Sequence, residues 1–142
     1  MAYLLDTDVV IHLRDGEDSV WKRIDAIDRP LSISAITHIE LENGVYRDPQ
    51  WKAERRAALD LILGQVKVID LTETEIEAYQ KILETSGFSK RKVSDRITAA
   101  TAIVHGLTFI TMNGRDFRDV AGLKLIEWDA PSISPLPVIP HP

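Results

Sequence analysis

The residues of this chain whose types and spacing could do chemistry are its carboxylates. Asp6 and Asp8 stand one residue apart directly after the apolar run Tyr3, Leu4, Leu5. Glu40 follows a second short apolar stretch, Leu31 to Ser34. Asp95 opens a segment rich in small residues, and Asn113 and Asp116 follow the run Leu107 to Thr111. Each acid alone has an ordinary structural reading. Asp8 can cap a helix while Asp6 makes a turn, Glu40 comes three residues after Thr37 in the spacing of a capping box, and Asp95 would be favoured in a first helical turn by roughly 0.3–1 kcal/mol. Brought together they have no such reading, because converging carboxylates raise one another's pKa values unless a cation neutralises them. The chain has no cysteine, so such an ion would be held by oxygen or imidazole, and an oxygen-rich set points to Mg2+ or Mn2+. The histidines, His12, His38, His105 and His141, lack metal-ligand spacing.

The elements that must position these acids follow from hydrophobic period and punctuation. Tyr3 to Leu5 reads as a buried strand, with helical period resuming from residue 8 to about 14 and again from Ser19 to about Asp28, before Pro30. Leu31 to Ser34 is a second strand, feeding a helix that carries Glu40 and stops near Gly44. Trp51 to Leu63 is helical, with Leu59, Ile62 and Leu63 on its stripe; Val66 to Leu71 is a β-branched strand. Thr72 and Glu75 have capping-box spacing ahead of a helix that Gly87 ends, and Ser94 is the expected N-cap of the next. Leu107 to Thr111 and Lys124 to Trp128 are the last strands. This alternation predicts an α/β fold: a mostly parallel central sheet of about five strands with helices on both faces. Right-handed crossovers then gather the strands' carboxyl ends, and the acids, along one edge.

Composition sets the frame. The chain has 142 residues, 44% hydrophobic and 27% charged, which suits one ordinary globular domain. We expect that domain over 1–129, followed by a tail, 130–142, holding five of the seven prolines and expected to be an extended strap or disordered. No apolar run approaches the roughly 20 residues of a membrane span, and no signal peptide is evident, so a cytoplasmic protein is expected. A net charge of −5 argues against general attraction to nucleic acid. Lys90, Arg91, Lys92 and Arg96 nonetheless form a local basic cluster flanking Asp95, with Arg115 and Arg118 later in the chain. Trp21, Trp51 and Trp128 read as packing residues.

Three stretches together resemble one known family. LLDTDVVI (4–11), SAITHIELENG (34–44) and SDRITAATAIVHGLTFITMNGRDF (94–117) are similar to the motifs of PIN-domain ribonucleases, and within them of VapC toxins from toxin–antitoxin pairs. Asp8 stands where that family commonly has Asn. The resemblance implies a PIN-like α/β/α sandwich, with Asp6, Glu40 and Asp95 as the core metal-binding acids. For the fourth position it offers Asp116, assisted by Asn113, with Thr111 orienting a ligand and Asp8 supporting. It further implies Mg2+- or Mn2+-dependent endonucleolytic cleavage of RNA, transfer RNA among the targets, by a metal-activated water that leaves a 5′ phosphate. Lys90, Arg91, Lys92, Arg96 and Arg115 would then hold the RNA. A VapB-like antitoxin laying a basic side chain on the acids and a homodimer, for which Leu59 to Leu63 could serve, are implied as partners. Two alternatives stay open at this point. One is a haloacid-dehalogenase-like phosphohydrolase with Asp6 as nucleophile, Asp8 as general acid and Ser34 on the phosphate. The other is a noncatalytic PIN-like RNA-binding module, kept open by the amide at Asn113.

Overall fold

Five short parallel strands form one sheet in the computed structural model, which describes residues 2–131. They are β1 (Tyr3–Leu5), β2 (Leu31–Ser34), β3 (Lys67–Ile69), β4 (Thr108–Thr111) and β5 (Lys124–Glu127), ordered β3-β2-β1-β4-β5. Every neighbouring pair is parallel. Six helices connect them: α1 (Thr7–Arg14), α2 (Asp18–Asp25), α3 (Ala35–Arg47), α4 (Lys52–Leu63), α5 (Glu73–Ser86) and α6 (Val93–Val104). The strand alternation decides what each face covers. Tyr3, Leu5, Ile33 and Ile110 pack with Val9, Val10, Leu41, Val45 and Leu59 of α1, α3 and α4. Leu4 and Phe109 point the other way, onto Ile82 of α5 and the fully buried Ala99, Ala100 and Ala102 of α6. Those alanines let α6 lie close on the sheet, as the run of small residues predicts.

β1 is the central strand, with β2 and β3 laid to one side of it and β4 and β5 to the other. The chain order therefore reverses between β1 and β4, and in open α/β sheets the crevice at such a switch point is where ligands bind.

Several boundaries differ from expectation. α2 stops at Asp25, three residues short of Asp28. α3 is capped by Ser34, whose hydroxyl accepts the Thr37 N–H at 3.0 Å, so Thr37 and Glu40 form no capping box. At α5, Thr72 is the N-cap residue, but its hydroxyl donates to the Glu75 carboxylate at 2.8 Å and caps no backbone N–H. α6 begins at Val93, not after Ser94, and the basic segment Lys90–Lys92 is a 3-10 turn leading into it. The suggested dimer face is corrected too. Leu59 and Ile62 are core residues, each stabilising the fold by about 1.5–3 kcal/mol, and only Leu61 faces outward. Residues 132–142 of the Pro-rich tail lie outside the described residues. Among the described residues, no helix is long and apolar enough to cross a membrane.

Candidate active site at the carboxyl edge of the sheet

Asp6 ends β1 at the switch point and is the N-cap of α1. Its Oδ1 accepts the Thr7 N–H at 2.8 Å, and its Oδ2 accepts the hydroxyl of Thr111, the last residue of β4, at 2.7 Å. The capping role expected of Asp8 thus falls to Asp6. Asp8, in the first turn of α1, accepts the Val9 N–H at 2.7 Å and reaches across to the Met112 N–H at 3.1 Å, fastening α1 to the end of β4. Thr111 in turn accepts the Asn113 N–H at 3.0 Å. Ser34 puts the start of α3 at the strand end, so Glu40 lies in the second turn, where its Oε1 accepts the Thr7 hydroxyl at 2.8 Å. The Thr7 hydroxyl is 2.9 Å from that of Thr37.

The electrostatics follow from this crowding. Burial, then the charge of Asp8, pushes the Asp6 carboxyl up to about 7 against the opposing bonds from Thr111 and Thr7, with Asp95 adding to the rise. Burial also raises Asp8, against the N–H groups of Met112 and Val9. Asp95, in the first turn of α6, is pushed up to about 6 by burial and then by the charges of Asp116, Glu40 and Asp8. Two strand ends, of β1 and β4, and three helices, α1, α3 and α6, thus bring five carboxylates, Asp6, Asp8, Glu40, Asp95 and Asp116, into one electrostatic field. Asp116 stands apart in sign: the Arg91 guanidinium, both of whose bonds to it are 3.2 Å, holds its carboxyl below the usual range, and the Asn113 amide adds to this.

The basic cluster divides. Lys90, Arg91 and Arg115 are exposed. Arg96 is buried at 3% exposure, where one guanidinium nitrogen donates to the Gly87 carbonyl and the other lies 3.1 Å from Asp119. It cannot reach a phosphate without leaving the core, so its expected RNA contact is corrected to a brace. Lys92 is largely covered and lies 3.5 Å from the same Asp119 carboxylate, and it too is committed to the fold.

The donor set suits a hard divalent cation: crowded carboxylate oxygens, two of them raised by burial and mutual repulsion. Among the described residues, no three acids or imidazoles close into a ready-made cage. A hard divalent ion keeps much of its own water, so such acids would hold it in part through that water. The Thr7 hydroxyl, which holds Glu40, was not singled out from the sequence. The signal for Thr7 was its place between Asp6 and Asp8. Ser34, offered as a phosphate ligand under the phosphohydrolase alternative, is occupied with the Thr37 N–H and lies 3.1 Å from the Thr98 hydroxyl.

Several known proteins are similar to this chain over most of its length. A relative named Ribonuclease VapC2 from Rickettsia felis is 27% identical over 135 residues, covering 91% of this chain and 99% of its own length. The tRNA(fMet)-specific endonuclease VapC of Shigella flexneri is 25% identical over 131 residues, covering 90% and 98%. Among solved structures, the VapBC2 complex of Rickettsia felis bound to a DNA fragment from its promoter matches with a TM-score of 0.81 at 26% identity, over 91% of this chain and 100% of the matched one. The family model for the PIN domain matches residues 3–123, and the chain belongs to the PIN-domain family.

Proposed function

We propose that this chain is a Mg2+- or Mn2+-dependent endoribonuclease of the VapC kind, the toxin half of a toxin–antitoxin pair, working in the cytoplasm through a domain that spans 1–129. The observation that carries this is the convergence of five carboxylates at the β1/β4 switch point, with Asp6 pushed up to about 7. Asp6, Glu40, Asp95 and Asp116 would hold the ion, which would supply Lewis acidity and an activated water for in-line attack on a phosphodiester. Thr111 fixes Asp6 by its 2.7 Å bond, Thr7 fixes Glu40, and Asp8 locks α1 to β4 so that Asp6 keeps its place. Asn113 orients Asp116 and so serves it as an assistant, not as its replacement. Lys90, Arg91 and Arg115 offset the repulsion that a chain of net charge −5 presents to RNA.

A VapB-like antitoxin fits the same edge. Unneutralised acids are a receptor for an arginine, and Asp116 already accepts a guanidinium from Arg91. The name of the Shigella flexneri relative makes transfer RNA the first substrate to try. The ion site is tested by titrating Mn2+ into the wild type and into Asp6→Asn, Glu40→Gln, Asp95→Asn and Asp116→Asn, with calorimetric detection. Each substitution is expected to weaken binding at least tenfold, about 1.4 kcal/mol. Wild-type affinity in the Asp6 and Asp95 variants together would overturn the assignment.

A further inference from the structure

Between α5 and the basic turn lies a short loop that presents Phe88 at 74% exposure, above every other exposed large hydrophobic among the described residues. The loop is pinned at both ends. Gly87 makes the turn at φ 77 and donates its N–H to Leu83 at 2.9 Å, while its carbonyl takes the buried Arg96 guanidinium. The Ser86 hydroxyl donates to the Asp119 carbonyl at 2.9 Å, and the Asp119 carboxylate holds Arg96 and Lys92. Two of the four cations of the basic cluster are thus spent on bracing, and what the braced loop offers to solvent is Phe88, Lys90 and Arg91. Arg91 rests on Asp116, which places the loop at the rim of the acidic cluster. Phe88 is three residues before Arg91, so their Cα atoms are within about 11 Å.

An aromatic ring held rigidly beside exposed cations is how single-stranded nucleic acid is bound without base pairing: cations follow the backbone and the ring stacks a base. A protein-binding patch would need apolar neighbours. Here the residues after Phe88 are Ser89, Lys90 and Arg91, whose two positive charges suit a polyanion.

We propose that Phe88 stacks an unpaired base of the RNA substrate, with Lys90 and Arg91 on the flanking phosphates. This rests on the nuclease reading of the acidic edge. In a duplex the base faces are covered by their neighbours, and the ring has nothing to stack on.

The test uses the full chain in EDTA at low salt and a short RNA of mixed sequence carrying a fluorescent base analogue, either single-stranded or annealed to its complement. Wild type and Phe88→Trp are expected to bind the single strand more tightly than the duplex and to quench the analogue. Phe88→Ala and Phe88→Leu are expected to lose about 5- to 150-fold in single-strand affinity, the range covered by one stacked base, with duplex affinity unchanged. Leucine keeps apolar bulk without a π face, so Phe88→Leu separates stacking from simple contact. Wild-type affinity and quenching in Phe88→Leu overturn the proposal, as does a wild type with no preference for the single strand. Loss of self-association in Phe88→Ala with RNA affinity retained assigns the ring to a protein contact and overturns it as well. A wild type that stacks RNA through Phe88 but cuts no RNA with Mg2+ or Mn2+ refutes the nuclease reading alone; one that cuts RNA while Phe88→Leu binds normally refutes the stacking alone.

Discussion

Asp6→Asn should make the metal-free protein more stable, even as it abolishes ion binding. Asp6 is 8% exposed and its carboxyl is pushed up to about 7 by burial and the neighbouring charge of Asp8. The ordinary value, which applies to the unfolded chain, is 3.8. Because the folded value is the higher one, the folded state holds this proton more tightly. The stability it contributes is therefore fully present below pH 3.8 and lost as pH rises through 7. A gap of roughly three pH units at 1.36 kcal/mol each corresponds to about 4 kcal/mol overall, of which nearly 3 kcal/mol is lost between pH 5 and pH 8. The asparagine does not ionise, and its carbonyl can still accept the Thr7 N–H. Urea denaturation in EDTA should thus show Asp6→Asn more stable than wild type by about 2–4 kcal/mol at pH 8, with the difference shrinking by nearly 3 kcal/mol at pH 5. Added Mn2+ should stabilise the wild type and leave the variant unmoved. A variant no more stable than wild type at pH 8, or a difference equal at both pH values, would refute the reasoning.

Other substitutions separate the bracing from the working residues. Arg96→Ala removes a buried guanidinium together with its bonds to Gly87 and Asp119, and should lower stability by about 2–4 kcal/mol with an unchanged denaturant slope. Full stability with weakened RNA binding would instead restore the phosphate role read from the sequence. The double change Lys90→Ala, Arg91→Ala should leave the melting temperature unaltered. It should flatten the slope of log affinity against log salt by about 1.4, at roughly 0.7 per phosphate contact on a single strand; an unaltered slope would remove both from the RNA interface. Thr111→Val deletes the hydroxyl that donates to Asp6 at 2.7 Å and opposes its upward shift. The pH midpoint for Mn2+ binding should rise, and a midpoint at the wild-type value would show that the bond does not hold the carboxylate.

The sheet was legible because its strands are short apolar runs that end abruptly in polar residues; Asp6 stands at one of those ends, whereas Glu40 and Asp95 lie on helices. Helical period also held information that a reading of charge alone passed over. Arg96 shares a face with Ala99, Ala100 and Ile103 at i+3, i+4 and i+7, and a face carrying two alanines of zero exposure is a buried one. Leu59 and Ile62 share a face in the same way, and Leu61 does not. Caps were less legible, because several side chains compete for each one. Thr37 and Glu40 have capping-box spacing, yet Ser34 at the strand end takes the Thr37 N–H first and frees Glu40 to meet Thr7. The Arg91–Asp116 contact joins residues 25 apart, and no local pattern encodes it.

The most direct measurement is cleavage of purified total RNA by the full chain, freed of any partner, with Mg2+, Mn2+ or EDTA, beside Asp6→Asn. Discrete fragments with 5′ phosphates, formed only with the ion and absent for the variant, are the predicted result. Intact RNA under every ion with a folded, partner-free wild type would contradict it, as would equal cleavage by Asp6→Asn.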